Sequence, residues 1–131
     1  MDNLFYPAIF ELDDNGSFSI EFPDIKGAVT GGSDMKESYR MAYDCLGIVL
    51  SYMHDHNEPI PEASLPQDIK LSKNQFIVII EFNMTEYKKR TNSKAVKKTL
   101  SIPSWLNEEA MAKGINFSSV LQDALKKQLN L

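Results

Sequence analysis

The last 35 residues, Lys97 to Leu131, constrain the chain most. They read as a short strand over Lys97-Lys98-Thr99-Leu100-Ser101-Ile102-Pro103, a helix from Ser104 to Lys113, a turn at Gly114 and a second helix from Asn116 to Leu129. Ser104 is the expected N-cap of the first helix. Gly114 stands where a left-handed residue ends a helix, with Ile115 free to pack back on it. Asn116 can cap the second helix, in which Phe117, Val120, Leu121, Ala124, Leu125 and Leu129 recur at helical spacing. A unit this short cannot bury those side chains by itself. A second copy solves the problem: two strands pair as one ribbon, and Leu100, Ile102, Leu106, Val120, Leu121 and Leu125 become a shared core.

Strand residues two apart face the same way, so if Leu100 and Ile102 turn inward, Lys97, Thr99 and Ser101 turn outward together. A two-stranded ribbon fits a B-DNA major groove about 12 Å wide, where lysine can donate to guanine and Thr or Ser can donate or accept. The start of the second helix, Asn116, Phe117, Ser118 and Ser119, offers free backbone N–H groups to a phosphate. The tail therefore reads as a ribbon-helix-helix module that dimerises and binds double-stranded DNA. The plainer alternative is a surface appendage used only for dimerisation.

Charge divides the chain in the same place. The net charge of −4 conceals 5 Lys/Arg against 15 Asp/Glu in residues 1–87, a balance of −10, and 9 against 3 in residues 88–131, a balance of +6. Such asymmetry suits different partners: a polyanion for the basic end, a basic protein or solvent for the acidic end. No apolar run is long enough to span a membrane. The start, Met1-Asp2-Asn3-Leu4, lacks the basic region and apolar core of a leader, so a cytoplasmic protein is expected.

Ahead of the tail, the pattern predicts β-β-β-α-β, one sheet with a helix across it, in an α+β chain. Leu4 to Leu12 is rich in strand formers, and Asp13-Asp14-Asn15-Gly16 is a hairpin signal. Ser17 to Phe22 alternates with period two, and Pro23-Asp24 ends it. A third strand is expected around Ala28-Val29-Thr30, broken by Gly31-Gly32-Ser33. Asp34, with Glu37 three residues on, should cap a helix running to about His54, packed on the sheet through Met35, Tyr39, Ala42, Leu46, Val49 and Met53. Glu58 to Pro66 is a proline-rich loop. Phe76 to Phe82 reads as a strand buried on both faces. Met84 to Thr91 reads as a turn of helix and an exposed connector, with Lys88-Lys89-Arg90 in it and a boundary near Lys94. The expected domains are 1–87, a linker 88–95, and 96–131.

Several constellations could carry chemistry, and each has a plainer reading. A two-metal nuclease needs three or four converging carboxylates. Glu11, Asp13, Asp14, Glu21, Asp24 and Asp34 qualify by type, but Asp13 and Asp14 sit in a turn and the strand centre, Tyr6 to Phe10, has no acid; a solvated surface is the expectation. His54-Asp55-His56 has a metal-binding spacing but falls at a helix end, where histidine suits the dipole. Gly31-Gly32-Ser33 lacks the lysine of a phosphate loop. Cys45, the only cysteine, falls in the long helix and is expected to be a small buried residue. Neither a metal nor another cofactor is expected.

Four segments in order resemble the HicB antitoxin family over nearly the whole chain. Phe22-Pro23-Asp24-Ile25-Lys26-Gly27 resembles its strand-ending FPD-x-x-G segment, with Ala28 where the family usually has a cysteine or other small residue. Gly32-Ser33-Asp34 followed by Glu37 resembles the start of its long helix, and Glu58-Pro59-Ile60-Pro61-Glu62 its proline-rich exit. Lys98 to Leu106, through Gly114 to Leu121, resembles the ribbon-helix-helix ending of one subgroup. The resemblance implies a partial, degenerate RNase H-like domain that binds and inhibits a HicA toxin. That toxin is a small basic protein with a double-stranded-RNA-binding-like fold that cleaves mRNA with a histidine. It also implies a homodimeric tail that binds the operator and represses the operon, a heterotetramer with the toxin, and no enzymatic activity. It names no toxin-contact residues here. The alternatives are a metal-dependent RNase H-like nuclease, or a stand-alone transcription regulator whose N-terminal domain senses a small molecule.

Overall fold

The first strand is buried along its whole middle, from Tyr6 to Phe10. The structure, a computed structural model, describes residues 3–131; Met1 and Asp2, on which the leader reading and the start of the first domain fall, lie outside the described residues. Strand β1 (Leu4–Leu12) turns Tyr6, Ala8 and Phe10 to one side, all fully buried. It pairs antiparallel with β2 (Phe18–Glu21) on one edge and β4 (Gln75–Phe82) on the other. Strand β3 (Val29–Gly32) completes an antiparallel sheet of order β3-β2-β1-β4. Pro7 donates no ladder bond, and it sits beyond Ile9↔Glu21, the last β1–β2 pair.

Helix α1 (Met35–Asp55) crosses one face of this sheet. Asp34 caps it as expected, accepting from Glu37 N–H at 2.8 Å, while Glu37 accepts from Ser33 N–H at 3.2 Å. Its far end closes with Asn57 in the left-handed region and Glu58 N–H bonded to Met53 O at 2.8 Å. The hairpin turn closes through Gly16 at φ 86°, with Asp13 N–H donating to Ser17 O at 2.8 Å. Between α1 and the sheet lie Phe10, Ile20, Phe22, Ile25, Leu46, Leu50, Ile80 and Phe82. Each such side chain contributes roughly 1.5–3 kcal/mol by leaving water.

Four expectations change here. The apolar stripe of α1 is rotated: Ala42 and Leu46 are buried, but so are Ser38, Gly47 and Leu50, while Met35 and Tyr39 are exposed. Small residues win because neighbours come close; a Cβ on Gly32 would meet Ser38 Cα at 2.7 Å. Gly31 and Gly32 belong to β3 rather than ending it, because the close approach of α1 and of Phe18 O leaves no room for side chains there. Strand β4 is buried on one face only, with Ile80 and Phe82 inside and Ile79 and Glu81 exposed, because α1 covers a single side of an edge strand. Helix α2 (Met84–Thr91) is a full element, not a connector: Asn83 caps it, Met84 and Tyr87 are buried, and it takes in residues 88–91, which the sequence assigned to the linker.

The chain separates into two compact units, Met1–Lys94 and Ala95–Leu131. The second holds α3 (Ser104–Ala112) and α4 (Phe117–Gln128) after an extended segment. Between the helices Gly114 has φ 66°, its N–H reaches Met111 O and Ile115 N–H reaches Ala110 O, both at 3.0 Å. That is the glycine-closed helix end expected from the sequence. Asn116 caps α4, accepting from Ser119 N–H at 3.0 Å. Ser104 is the first helical residue rather than a cap; Pro103 takes the cap position, where its extended ψ of 143° suits it, and no side chain bonds there. Residues 97–103 form no strand within one chain, since the unit contains no other extended segment for them to pair with.

Candidate functional site

In the second unit the geometry collects residues that sequence spacing alone had grouped. Lys98, Leu100 and Ile102 of the extended segment line a groove with Phe117, Ser118, Val120, Leu121 and Ala124 of α4 and Asn107 of α3. The even-numbered residues of 97–103 thus face the helices. Leu100 is 63% exposed, Val120 54% and Leu125 51%, and no residue of 95–131 is buried. Leu106 is exposed as well, and Leu121 is the one half-buried member of the expected dimer core. Lys97, Thr99 and Ser101 do not line the groove and are exposed. Of the expected phosphate-binding group, Asn116 caps α4 through Ser119 N–H, so that donor is already used; Phe117 and Ser118 turn to the groove.

In the first unit the acidic residues are dispersed by other duties. Asp34 caps α1. Asp24 accepts from Ser64 N–H at 2.9 Å and from its hydroxyl, which ties the proline-rich loop to the end of β2. Tyr6 donates its hydroxyl to Pro61 O in the same loop, and burial, then the Asp24 carboxylate, push that hydroxyl's pKa up. Asp13 accepts from Ser19 Oγ at 3.2 Å, and Glu11 from Gln75 Nε2 at 3.2 Å. Among the described residues, no three His, Cys, Asp or Glu converge as a metal site would require. His56 bonds Tyr52 O at 2.8 Å and stacks on the Tyr52 ring, while His54 leans toward Asp55. Cys45 packs half-buried against the core, and burial raises its thiol pKa.

Sequence reasoning missed the face of the sheet turned away from α1. Directly opposed residues share a face, so Val29, Glu21, Ile9 and Ile77 form one row across all four strands. Phe5 lies beside Glu81, and Glu11 beside Ser19 and Gln75, on that same face. All three glutamates of the strands point this way, and no strand contains Lys or Arg. Phe5 is 54% exposed and Val29 68%, while Ile9 is buried. The period-two signal was present in β1, but the register between strands, which aligns the glutamates, is not written in any one of them.

Comparison with known proteins places this arrangement. The family model described as HicB_like antitoxin of bacterial toxin-antitoxin system matches residues 5–80. Antitoxin HicB 2 of Photorhabdus laumondii is 37% identical over 62 residues, 47% of this chain and 44% of that protein. Antitoxin HicB 1 of the same organism is 36% identical over 59 residues, 45% of this chain and 38% of that one. The chain thus spans less than half the length of these curated relatives. A chain of a toxin-antitoxin complex from Streptococcus pneumoniae superposes with a TM-score of 0.62 at 26% identity, covering 97% of this chain and 99% of that one. The Burkholderia pseudomallei antitoxin HicB superposes at 0.57 and 14% identity over 96% and 98%, a likeness of fold. With the family model spanning more than half of it, the chain belongs to the HicB-like antitoxins of bacterial toxin-antitoxin systems.

Proposed function

We propose that this antitoxin binds and neutralises a HicA-type mRNA-cleaving toxin through residues 1–87, a partial RNase H-like domain. As a homodimer joined through residues 96–131, it binds operator DNA and represses its own operon. The role is stoichiometric binding, with no catalytic step assigned to the chain. The observation that carries the dimer is the tail: an apolar groove built from Leu100, Ile102, Val120 and Leu121, in a unit with no buried residue, suits a second copy of itself. The ribbon so formed carries Lys97, Thr99 and Ser101 outward. For the toxin, support comes from the acidic first unit and from the Streptococcus pneumoniae relative, which was solved as a toxin-antitoxin complex.

Co-expression with the product of an adjacent reading frame, expected to be a short basic protein, tests this directly. Growth rescue, co-purification, and retention of the DNA upstream of the operon by the dimer are expected. A neighbour that is harmless, or that stays toxic and separate from this chain, would sink the antitoxin assignment; a monomer that leaves the DNA unshifted would sink the repressor.

A further inference from the structure

We propose that the sheet face turned away from α1 is the surface on which the basic toxin docks. The inference rests on the toxin-binding role proposed above and adds the place. An interface that holds needs apolar anchors at its centre and complementary charge around them. This face has both. Phe5, Val29 and Ile79 are exposed large apolar residues on a sheet, and Glu11, Glu21 and Glu81 stand among them. Among the described residues, none of these three carboxylates is paired with Lys or Arg. Their only side-chain partners are neutral amides: Gln75 on Glu11 and Asn3 on Glu81.

The other exposed apolar face of this unit suits such a partner less. On α1, Met41, Ile48 and Tyr52 are exposed, but the same helix carries Lys36 and Arg40, and Arg90 of α2 lies over the Tyr43 ring. Asp44 on that side is already engaged by Arg90. The helix layer offers a cationic protein mixed charge, with Glu37 between Lys36 and Arg40 and with Asp44 and Asp55 already engaged by Arg90 and Lys88, whereas the strands of the sheet offer carboxylates and no Lys or Arg. Since opposite charge speeds and orients docking, the face whose strands carry only carboxylates is selected over the mixed one.

The reagents are this chain and a catalytically inactive form of the toxin, expected as the short basic product of an adjacent reading frame. E11K/E21K/E81K should slow association and weaken binding, and Ile79→Asp should weaken it roughly 30-fold or more, as loss of an apolar anchor does. Ile48→Lys on α1 should bind like the parent. Hydroxyl-radical footprinting of the unmodified chain needs no variant to fold: Phe5 should become protected on adding the basic protein, and Met41 should not. Unchanged affinity in folded sheet variants, or a Phe5 that stays reactive while Met41 or Tyr52 is protected, overturns the surface assignment and leaves the antitoxin reading standing. Absence of any complex with the unmodified chain overturns both.

Discussion

Gly47 of α1 lies directly against the ring of Tyr87 of α2, with no space between them for a Cβ atom. This contact seats α2 on α1 and explains why a glycine is kept in the middle of a long helix, where it weakens the helix by about 1 kcal/mol relative to alanine. Gly47→Ala would recover that propensity but drive a methyl into a buried ring. A net loss of about 1–3 kcal/mol is expected from overpacking. Urea unfolding would show it as a lowered midpoint; a variant as stable as the parent would contradict the close packing.

Leu121→Asp places a charge in the groove that is proposed to close on a second copy. The variant should be monomeric in sedimentation and should lose operator binding. Toxin binding should be retained, because Leu121 belongs to the second unit. A variant that still dimerises would reject the packing.

Replacing Lys97, Thr99 and Ser101 together by alanine should abolish specific operator binding without disturbing the dimer. Lys97→Ala alone separates two modes. A base-edge contact costs about 1–3 kcal/mol and depends on operator sequence, whereas a phosphate contact weakens all DNA equally and lowers the salt slope. Unchanged DNA binding by the triple variant would remove the ribbon from the DNA interface.

Asp55 accepts a hydrogen bond from Lys88 Nζ at 3.3 Å. That bond, then one from His54 and the Lys88 charge, hold its carboxyl below the ordinary carboxylate range. A carboxyl with a depressed folded pKa adds stability above its unfolded value and loses it as pH falls through the folded one. Asp55→Asn should therefore be slightly less stable than the parent at neutral pH and equal to it in strong acid. Both groups are exposed, so added salt should narrow the gap. Paired urea titrations across pH would check this; a difference that persists in acid would assign the effect to something other than the charge.

Asp24 and Tyr6 together hold the proline-rich loop at Ser64 and Pro61. Asp24→Ala removes the acceptor of two Ser64 donors and should raise protease cleavage within residues 58–66, while the sheet core stays folded. Limited proteolysis followed by mass mapping would read this, and an unchanged cleavage pattern would show the loop is held elsewhere.

Local signals carried a long way in this chain. Asp34 with Glu37, Gly114 with Ile115, and Asn116 each mark a helix end that the structure shows at that place, because caps and left-handed turns are satisfied by residues within a few positions of one another. The alternation of Phe18, Ile20 and Phe22, and the opposite charges of the two ends, were equally legible. Tertiary structure alone decided what depends on distant partners. Ser38 and Gly47, neither of them apolar enough to announce a core position, are buried because Gly32 and Tyr87 come up against them. β4 shows Ile79 and Glu81 to water because α1 packs on the other side, over Ile80 and Phe82. Glu11, Glu21 and Glu81, far apart along the chain, share one side of the sheet because the register between strands brings them there, and a register is a relation between segments that no single segment encodes.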